Sequence, residues 1–294
     1  LNQSLELAET NFSSFFSVTE AAVLVVVMGI LGLIGSLLNF LLILSITLTD
    51  GFFDASANVF VLSLACADLL VCCVSAPLHM YNCFRPIYTI FATVSKFNAV
   101  ATTGNIFLLS LNRFVSIVKD LKYPSVVTFK LTVKLVGIIW FVAIIVTVLA
   151  VVGLTWDVTP LVHLTRYFIA FYVTSSVIMH VYMYKLARDH RKQLRRQAFA
   201  VTGQIQDKSD EFRALRSLFM ISGSFAACWL PISIESFVRN EMGDPINYYR
   251  SFLFSCPLCV VNSIVDAVVY YYRSKGFRAS LHVLVKRMKN FGCY

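Results

Sequence analysis

Charge is scarce in this sequence. Only 14% of its 294 residues are Asp, Glu, Lys or Arg, against roughly 25% in an ordinary soluble protein. Apolar types make up 58%, and mean hydropathy is +0.73. A soluble domain so poor in polar groups would not cover its own surface, so the composition points to an integral membrane protein. Histidine is scarce as well. The five His are scattered over both ends of the apolar runs, which argues against the clustered zinc ligands of a membrane hydrolase. Paired CxxC metal spacing is missing; Cys256-x-x-Cys259 stands alone inside an apolar run and reads as packing. Internal repeats, expected of many transporters, are also missing. The net charge of +9 needs no nucleic acid if the excess lies on one side of a bilayer.

Long apolar runs are what the sequence has in plenty. Crossing a hydrocarbon core takes about 20 apolar residues as a helix. Seven runs qualify or nearly qualify: Ala21–Leu48, Ala55–Phe84, Ile87–Leu111, Leu135–Trp156, Tyr167–Tyr184, Ser217–Ile234 and Ser251–Tyr272. Asp68, Lys96 and Asp266 are their only charges. The pattern predicts an all-α membrane protein: an extracellular segment over 1–20, a seven-helix bundle over 21–272, and an eighth, amphipathic helix with a short tail over 273–294.

Lys and Arg set the direction. They crowd the stretch from Lys185 to Arg216, the segment after the third run and the tail after the seventh. The other side holds only Arg85, Lys96, Arg166, Arg239 and Arg250. The basic side is cytoplasmic, which puts the N-terminus outside and the C-terminus inside. Asp50 and Asp54 in the first inner loop dissent, but the sum outweighs them. The sequons at Asn2 and Asn11 both fall on the expected outside and are candidate glycosylation sites. In the tail, Phe277, Leu281, Leu284, Val285 and Met288 recur at helical spacing among Lys and Arg, as in a helix lying on the inner leaflet. Cys293 beyond it is a candidate for palmitoylation.

Polar residues inside a membrane are costly and usually functional. Asp68 and Asp266 each sit mid-run. Two such carboxylates close together do not both ionise cheaply: one is protonated, or a cation bridges them. Asn39, Thr102, Asn262 and Ser263 add mid-run oxygens. The set reads either as a small cation site, with Na+ as the plausible occupant, or as a hydrogen-bonded cluster without an ion. Arg113 ends the third run and Glu211 opens the sixth helix on the same side; a pair between them would latch those helix ends. Pro231, beside Trp229 and Leu230, kinks the sixth helix, and the bulky Trp229 makes a candidate lever.

These residues, in this order, resemble a rhodopsin-like (class A) G-protein-coupled receptor. The resemblance rests on GSLLN ending in Asn39, LACAD ending in Asp68, LNRF around Arg113, Trp140, FAACWLP around Trp229 and Pro231, and NSIVDAVVY ending in Tyr270, with Phe277-Arg278 beyond it. The stretches SLNRFVSIVKDLKYPSVVT, VYMYKLARDHRK and NSIVDAVVYYYRSKGFR are similar to the melanocortin branch and its adenosine, cannabinoid and lysophospholipid relatives. Two absences agree. The family's usual disulfide is missing, with Tyr88 at its helix-three position and no Cys in the second outer loop, placed near Gly153 to Pro160. The usual proline of helix five is missing too, with Tyr172 near its place.

The resemblance implies a receptor, not an enzyme. It would sit in the plasma membrane, bind an extracellular small-molecule, lipid or peptide ligand, and drive nucleotide exchange on a heterotrimeric G protein as helix six swings outward. No cofactor is implied beyond an allosteric Na+. The activation residues carried over are Asn112, Arg113, Glu211, Phe225, Trp229, Pro231 and Tyr270. Several depart from the family pattern: Asn112 replaces an acid, Asp266-Ala267 replaces Asn-Pro, and Thr103 replaces a β-branched apolar residue beside Phe225. The inner tyrosine of helix five is either Tyr182 or replaced by His180. A ligand pocket would be lined by His79, Ser95, Lys96, Ala99, Trp229, Glu235, Cys256 and Val260. Lys96 offers a site for an anionic group and Glu235 for a cationic one, or the two pair. Leu78, Tyr88 and Ala92 stand where melanocortin receptors carry acids, Ser95 where amine receptors carry Asp, and Val260 where opsins carry their Schiff-base Lys. The rival reading is a receptor-like scaffold or silent dimer partner without coupling, for which Asn112 and Ala267 speak.

Overall fold

The computed structural model describes residues 17–48, 56–84, 87–119, 123–156, 158–202, 223–234, 245–273 and 278–279. All regular structure among them is helical. The seven main helices are α1 (Val18–Thr47), α2 (Ser56–Asn82), α3 (Tyr88–Lys119), α4 (Phe129–Thr155), α5 (Thr159–Thr202), α6 (Gly223–Ile234) and α7 (Pro245–Arg273). A single helical turn, Tyr123–Val126, joins α3 to α4.

Local chemistry explains several helix ends. Ser17 caps α1 by accepting from the Glu20 N–H while the Glu20 carboxylate accepts from the Ser17 N–H, a reciprocal box that satisfies two orphan donors. Thr128 caps α4 through the Leu131 N–H. Helices α3, α4, α5 and α7 overrun the apolar windows of the sequence, because those windows mark only the part that must face hydrocarbon, whereas α2 stops inside its window. The α4–α5 connection is correspondingly shorter than the sequence indicated. It is confined to residues 156–158, since the Trp156 N–H still bonds the Val152 carbonyl and Val158 bonds Gly153.

Among the described residues, five helices are long and apolar enough to cross a membrane: α1, α2, α4, the His163–Leu186 part of α5 and the Phe252–Tyr272 part of α7. The described part of α6 is a shorter apolar helix. The exception is α3, which carries Ser95, Lys96, Asn98, Thr102, Thr103, Asn105, Ser110 and Asn112. It packs against α2, α4 and α5, so its polar groups meet protein rather than lipid. The outward sides of α1 and α4 are apolar, with Ile30, Leu33, Leu37, Phe141, Ile144 and Val148 exposed.

The main core runs through the middle of the bundle, joining Phe60 and Leu64 of α2, Val100 and Ile106 of α3, Ile139 and Val146 of α4, Tyr172 of α5, Phe225 and Trp229 of α6, and Tyr270 of α7. Two glycines set close crossings. A Cβ at Gly35 would lie 2.5 Å from Cys72 Sγ, and one at Gly104 would lie 2.7 Å from Ile139 Cγ2. Midway along α2, Val71–Ser75 winds as a π turn, a bulge often found at functional positions. Asn98 of α3 pins it by donating to Ser75 Oγ at 2.6 Å.

Candidate functional site

The mid-run polar residues converge. Asp68, Asn39, Thr102, Asn262, Ser263 and Asp266 are all buried. Ser263 Oγ of α7 donates to Asp68 Oδ1 of α2 at 2.8 Å. Asn39 of α1 donates to the carbonyls of Gly35 and Ser263. Asn262 donates to Asp266 Oδ2 at 2.8 Å. Asp266 stands three residues beyond Ser263 on α7, so the helix that bonds Asp68 also carries the second carboxylate. Among the described residues, Asn39 Oδ1, Asp68 Oδ2, Thr102 Oγ1 and Asn262 Oδ1 have no hydrogen-bond partner. Buried oxygens left open in this way are the donor type that hard cations take, so the residues fit a small cation. Trp229 belongs to the same core, is 2% exposed, and its indole N–H lacks a partner among the described residues. Its ring meets Phe225 at 6.4 Å between centroids.

A second buried network was not anticipated from the sequence. Trp140 Nε1 donates to Ser63 Oγ at 2.9 Å, and Ser63 Oγ donates to Asn105 Oδ1 at 2.6 Å, joining α4, α2 and α3. The missed signal lay in α3: Asn98, Thr102, Asn105 and Asn112 recur at helical spacing, one polar stripe on an otherwise apolar helix.

Near the far end of α3, Asn112 is buried and Arg113 half-buried. Asn112 Oδ1 accepts a 2.7 Å hydrogen bond from the Tyr123 hydroxyl, so the joining turn is tied back to α3. Tyr270 of α7 is buried, whereas Pro231 is exposed on α6. His180 is the residue of α5 that faces the bundle, with Nδ1–H donating to the Ser176 carbonyl; Tyr182 is exposed and packs on Phe114. Thr103 is buried and gives its hydroxyl to the Ala99 carbonyl.

The pocket residues do not form one lining. Ser95, Lys96 and Ala99 are half-buried along α3. Val260 packs with Met28 of α1 and with Val71, Cys72 and Ala76 of α2, on the side of α7 toward those helices. His79 is fully buried where α2, α3 and α7 meet: Nε2–H donates to the Leu253 carbonyl at 3.0 Å, and the ring stands edge-on to Phe91. Cys256, half-buried, adjoins that cluster. Glu211, Glu235, Asn2, Asn11, Cys293 and nearly all of the amphipathic tail lie outside the described residues. The seven described cysteines are free thiols.

The family of 7 transmembrane receptors (rhodopsin family) matches residues 38–270. Among relatives, the melatonin receptor type 1B-B of Danio rerio is 26% identical over 250 residues, 76% of this chain and 70% of the relative. The adenosine receptor A2a of Equus caballus is 25% identical, covering 78% of this chain and 64% of the relative. The cannabinoid receptor 1 of Xenopus laevis is 26% identical, covering 60% and 43%. The chain thus spans less than two thirds of the length of the last two. Adenosine and cannabinoid receptors were among the kinds its motifs resemble; the melatonin receptor was not. With the match running from the end of α1 almost to the end of α7, the chain belongs to the rhodopsin family of G-protein-coupled receptors.

Proposed function

We propose that this chain is a plasma-membrane receptor that binds an extracellular ligand within the bundle and promotes nucleotide exchange on a heterotrimeric G protein. The N-terminus faces outside, where Asn2 and Asn11 are glycan acceptors. The basic ends of α5 and of the tail, with its amphipathic eighth helix and Cys293, face the cytoplasm. The observation that carries the reading is the buried polar cluster joining α1, α2 and α7 beside Trp229. A static core has little use for open buried oxygens, whereas a switch can fill or empty them.

On this reading the receptor alternates between a closed and an open state, and the packed polar cluster belongs to the closed one. Ligand binding between the helices favours an open state because the ligand fits that state more tightly. On opening, α6 swings outward at its inner end, Arg113 parts from Glu211, and the C-terminal helix of the G-protein α subunit enters the cleft. Asp68, Asn39, Thr102, Asn262, Ser263 and Asp266 would hold Na+, which would add charge balance to the closed state.

Basal second-messenger output tests the reading: cAMP in both directions and Ca2+, for wild type and Arg113→Ala at equal surface expression. Output that departs from mock-transfected cells and is lost in the variant establishes coupling. Output equal to mock in both, with no agonist response across a ligand library, favours the silent scaffold, to which neutral Asn112 and Ala267 are compatible.

A further inference from the structure

Lys130 and Lys134 stand one turn apart at the start of α4, and both are exposed. With about 3.6 residues per turn, Gly137, Phe141, Ile144 and Val148 fall on the same face, and all four are exposed. The opposite face carries Thr132, Ile139, Ala143, Val146 and Ala150, which are buried against the bundle. The first face therefore looks away from the protein: two charges, then a notch, then apolar side chains. From Lys134 to Ile144 the helix rises about 15 Å at about 1.5 Å per residue, half of a hydrocarbon core of about 30 Å. When the apolar part of this face fills one leaflet, the lysines stand at headgroup level.

Neither lysine has a partner among the described residues. Neither serves its own helix, because the first turn of α4 holds no acid and a helix start favours acids over lysines. Orienting the chain takes lysines on this side of the bilayer, but on no particular face of the helix. Gly137 is the second feature without an internal reason. A Cβ added there would meet nothing within 4 Å, whereas Gly29, Gly32, Gly35 and Gly104 each have atoms of another helix within that distance. Glycine inside a helix costs about 1 kcal/mol relative to alanine. Close helix contact offsets that cost at the other four positions, and no described residue offsets it at Gly137. A second copy meeting this face about a two-fold axis along the membrane normal would set Lys130 and Lys134 against their own counterparts at one depth, and like charges so juxtaposed repel. An anionic headgroup at that depth is attracted instead. The two Cβ atoms of such a pair are about 5–6 Å apart, a spacing at which two ammonium groups can share one phosphate.

We propose that the outward face of α4 is a binding site for an anionic phospholipid, its phosphate held between Lys130 and Lys134 and one acyl chain seated on Gly137 beside Phe141. The site takes its leaflet, the cytoplasmic one, from the orientation proposed above and depends on that reading for nothing else.

The test titrates lipid into purified receptor in a nonionic detergent and follows the thermal unfolding midpoint. The probes are phosphatidylserine and phosphatidylinositol bisphosphate, with phosphatidylcholine as the zwitterionic control and inositol trisphosphate as a headgroup without chains. At least one anionic lipid should raise the midpoint saturably, and neither control should. The double variant K130Q/K134Q should weaken the apparent Kd at least tenfold, about 1.4 kcal/mol. Gly137→Leu fills the notch and should weaken it roughly threefold or more, while unfolding without lipid no lower than wild type, because leucine favours a helix. K185Q/R188Q removes two exposed charges of α5 and should change the apparent Kd less than about twofold. No saturable stabilisation, equal stabilisation by phosphatidylcholine, binding undiminished in K130Q/K134Q or in Gly137→Leu, or an equal loss in K185Q/R188Q would overturn the proposal. So would inositol trisphosphate binding as tightly as the lipid, which marks a site for a soluble anion. A lipid-free dimer in light scattering that Gly137→Leu dissolves would also overturn it, by seating a second copy on this face. Nucleotide exchange on purified G protein is read separately. Exchange absent with lipid binding intact counts against the coupling alone; lipid binding absent with exchange intact overturns this site alone.

Discussion

His79 of α2 donates its Nε2–H to the carbonyl of Leu253 in α7, and Leu253 is the residue four before Pro257. Proline has no N–H to give to that carbonyl, so Pro257 orphans it within its own helix. The buried imidazole supplies the missing donor across the helix pair. Because a carbonyl only accepts, Nε2 carries the proton, and Nδ1 is left to accept from Cys83 Sγ, 3.8 Å away. His79→Leu should therefore destabilise the receptor by about 1–3 kcal/mol, the usual cost of an unpaired buried group. In a Pro257→Ala background the helix regains its own donor, and the cost of His79→Leu should fall by roughly 1 kcal/mol. Thermal unfolding of the four proteins measures the coupling; equal costs in both backgrounds would sink this account.

The Trp140–Ser63–Asn105 chain allows an ordered prediction. Ser63 both accepts and donates, so Ser63→Ala strands two buried groups, whereas Trp140→Phe strands none except Ser63's own lone pair. Ser63→Ala should cost about 2 kcal/mol and Trp140→Phe, beyond its lost packing, about 1 kcal/mol or less. Unfolding midpoints that rank Trp140→Phe as the more damaging by its hydrogen bond would contradict the direction of donation. A Trp140→Ala control gauges the packing share.

How far these features could be read in advance depended on whether one helix or several make them. The seven spans follow from apolar runs, because lipid imposes one requirement on each helix separately. Asp68 and Asp266 stood out because a lone charge in such a run has few explanations. Ser63 and Asn105 did not, since Ser and Asn are unremarkable in a span until a third helix brings Trp140 to them. His79 reads from the sequence as a pocket residue because its position along α2 is legible and its partner, the Leu253 carbonyl, is not. Pro257, in plain view, frees the Leu253 carbonyl that His79 serves, yet only the crossing of α2 and α7 brings the two together. The question of His180 or Tyr182 was one of rotation about α5, which needs a neighbour: Phe114 against Tyr182 supplies it.

Asn112 gives a prediction on basal activity. Its carbonyl oxygen holds the Tyr123 hydroxyl, but a neutral amide gives Arg113 no counter-charge. In Asn112→Asp the same hydrogen bond becomes charge-assisted, roughly twice as strong, and an anion stands beside Arg113. The closed state should gain about 1 kcal/mol, lowering basal output roughly fivefold. Tyr123→Phe removes the bond and should raise basal output by a similar factor. Both are read as cAMP or Ca2+ at matched surface expression. A rise with Asn112→Asp would show that this end of α3 does not restrain activation.

The polar cluster separates its two readings by salt. If Na+ fills the open oxygens, wild-type receptor should unfold at a higher temperature in NaCl than in choline chloride of equal strength, by an amount that saturates. Asp68→Asn should abolish the difference, because Asp68 bridges to Ser263 and still has an oxygen free for the ion. Asp266→Asn should weaken it less, since one Asp266 oxygen is already held by Asn262. In choline the order should invert. Without a counter-ion one of the two carboxyls takes a proton and the other keeps a buried charge, so replacing either by Asn relieves the cost of ionising the pair and should stabilise the protein by about 1 kcal/mol. A cluster that holds no ion predicts something different: no sodium effect in any variant, with the same stabilisation by Asp266→Asn in both salts. The crossing of those two orders, stabilising in choline and destabilising in sodium, is the result that only an ion site produces.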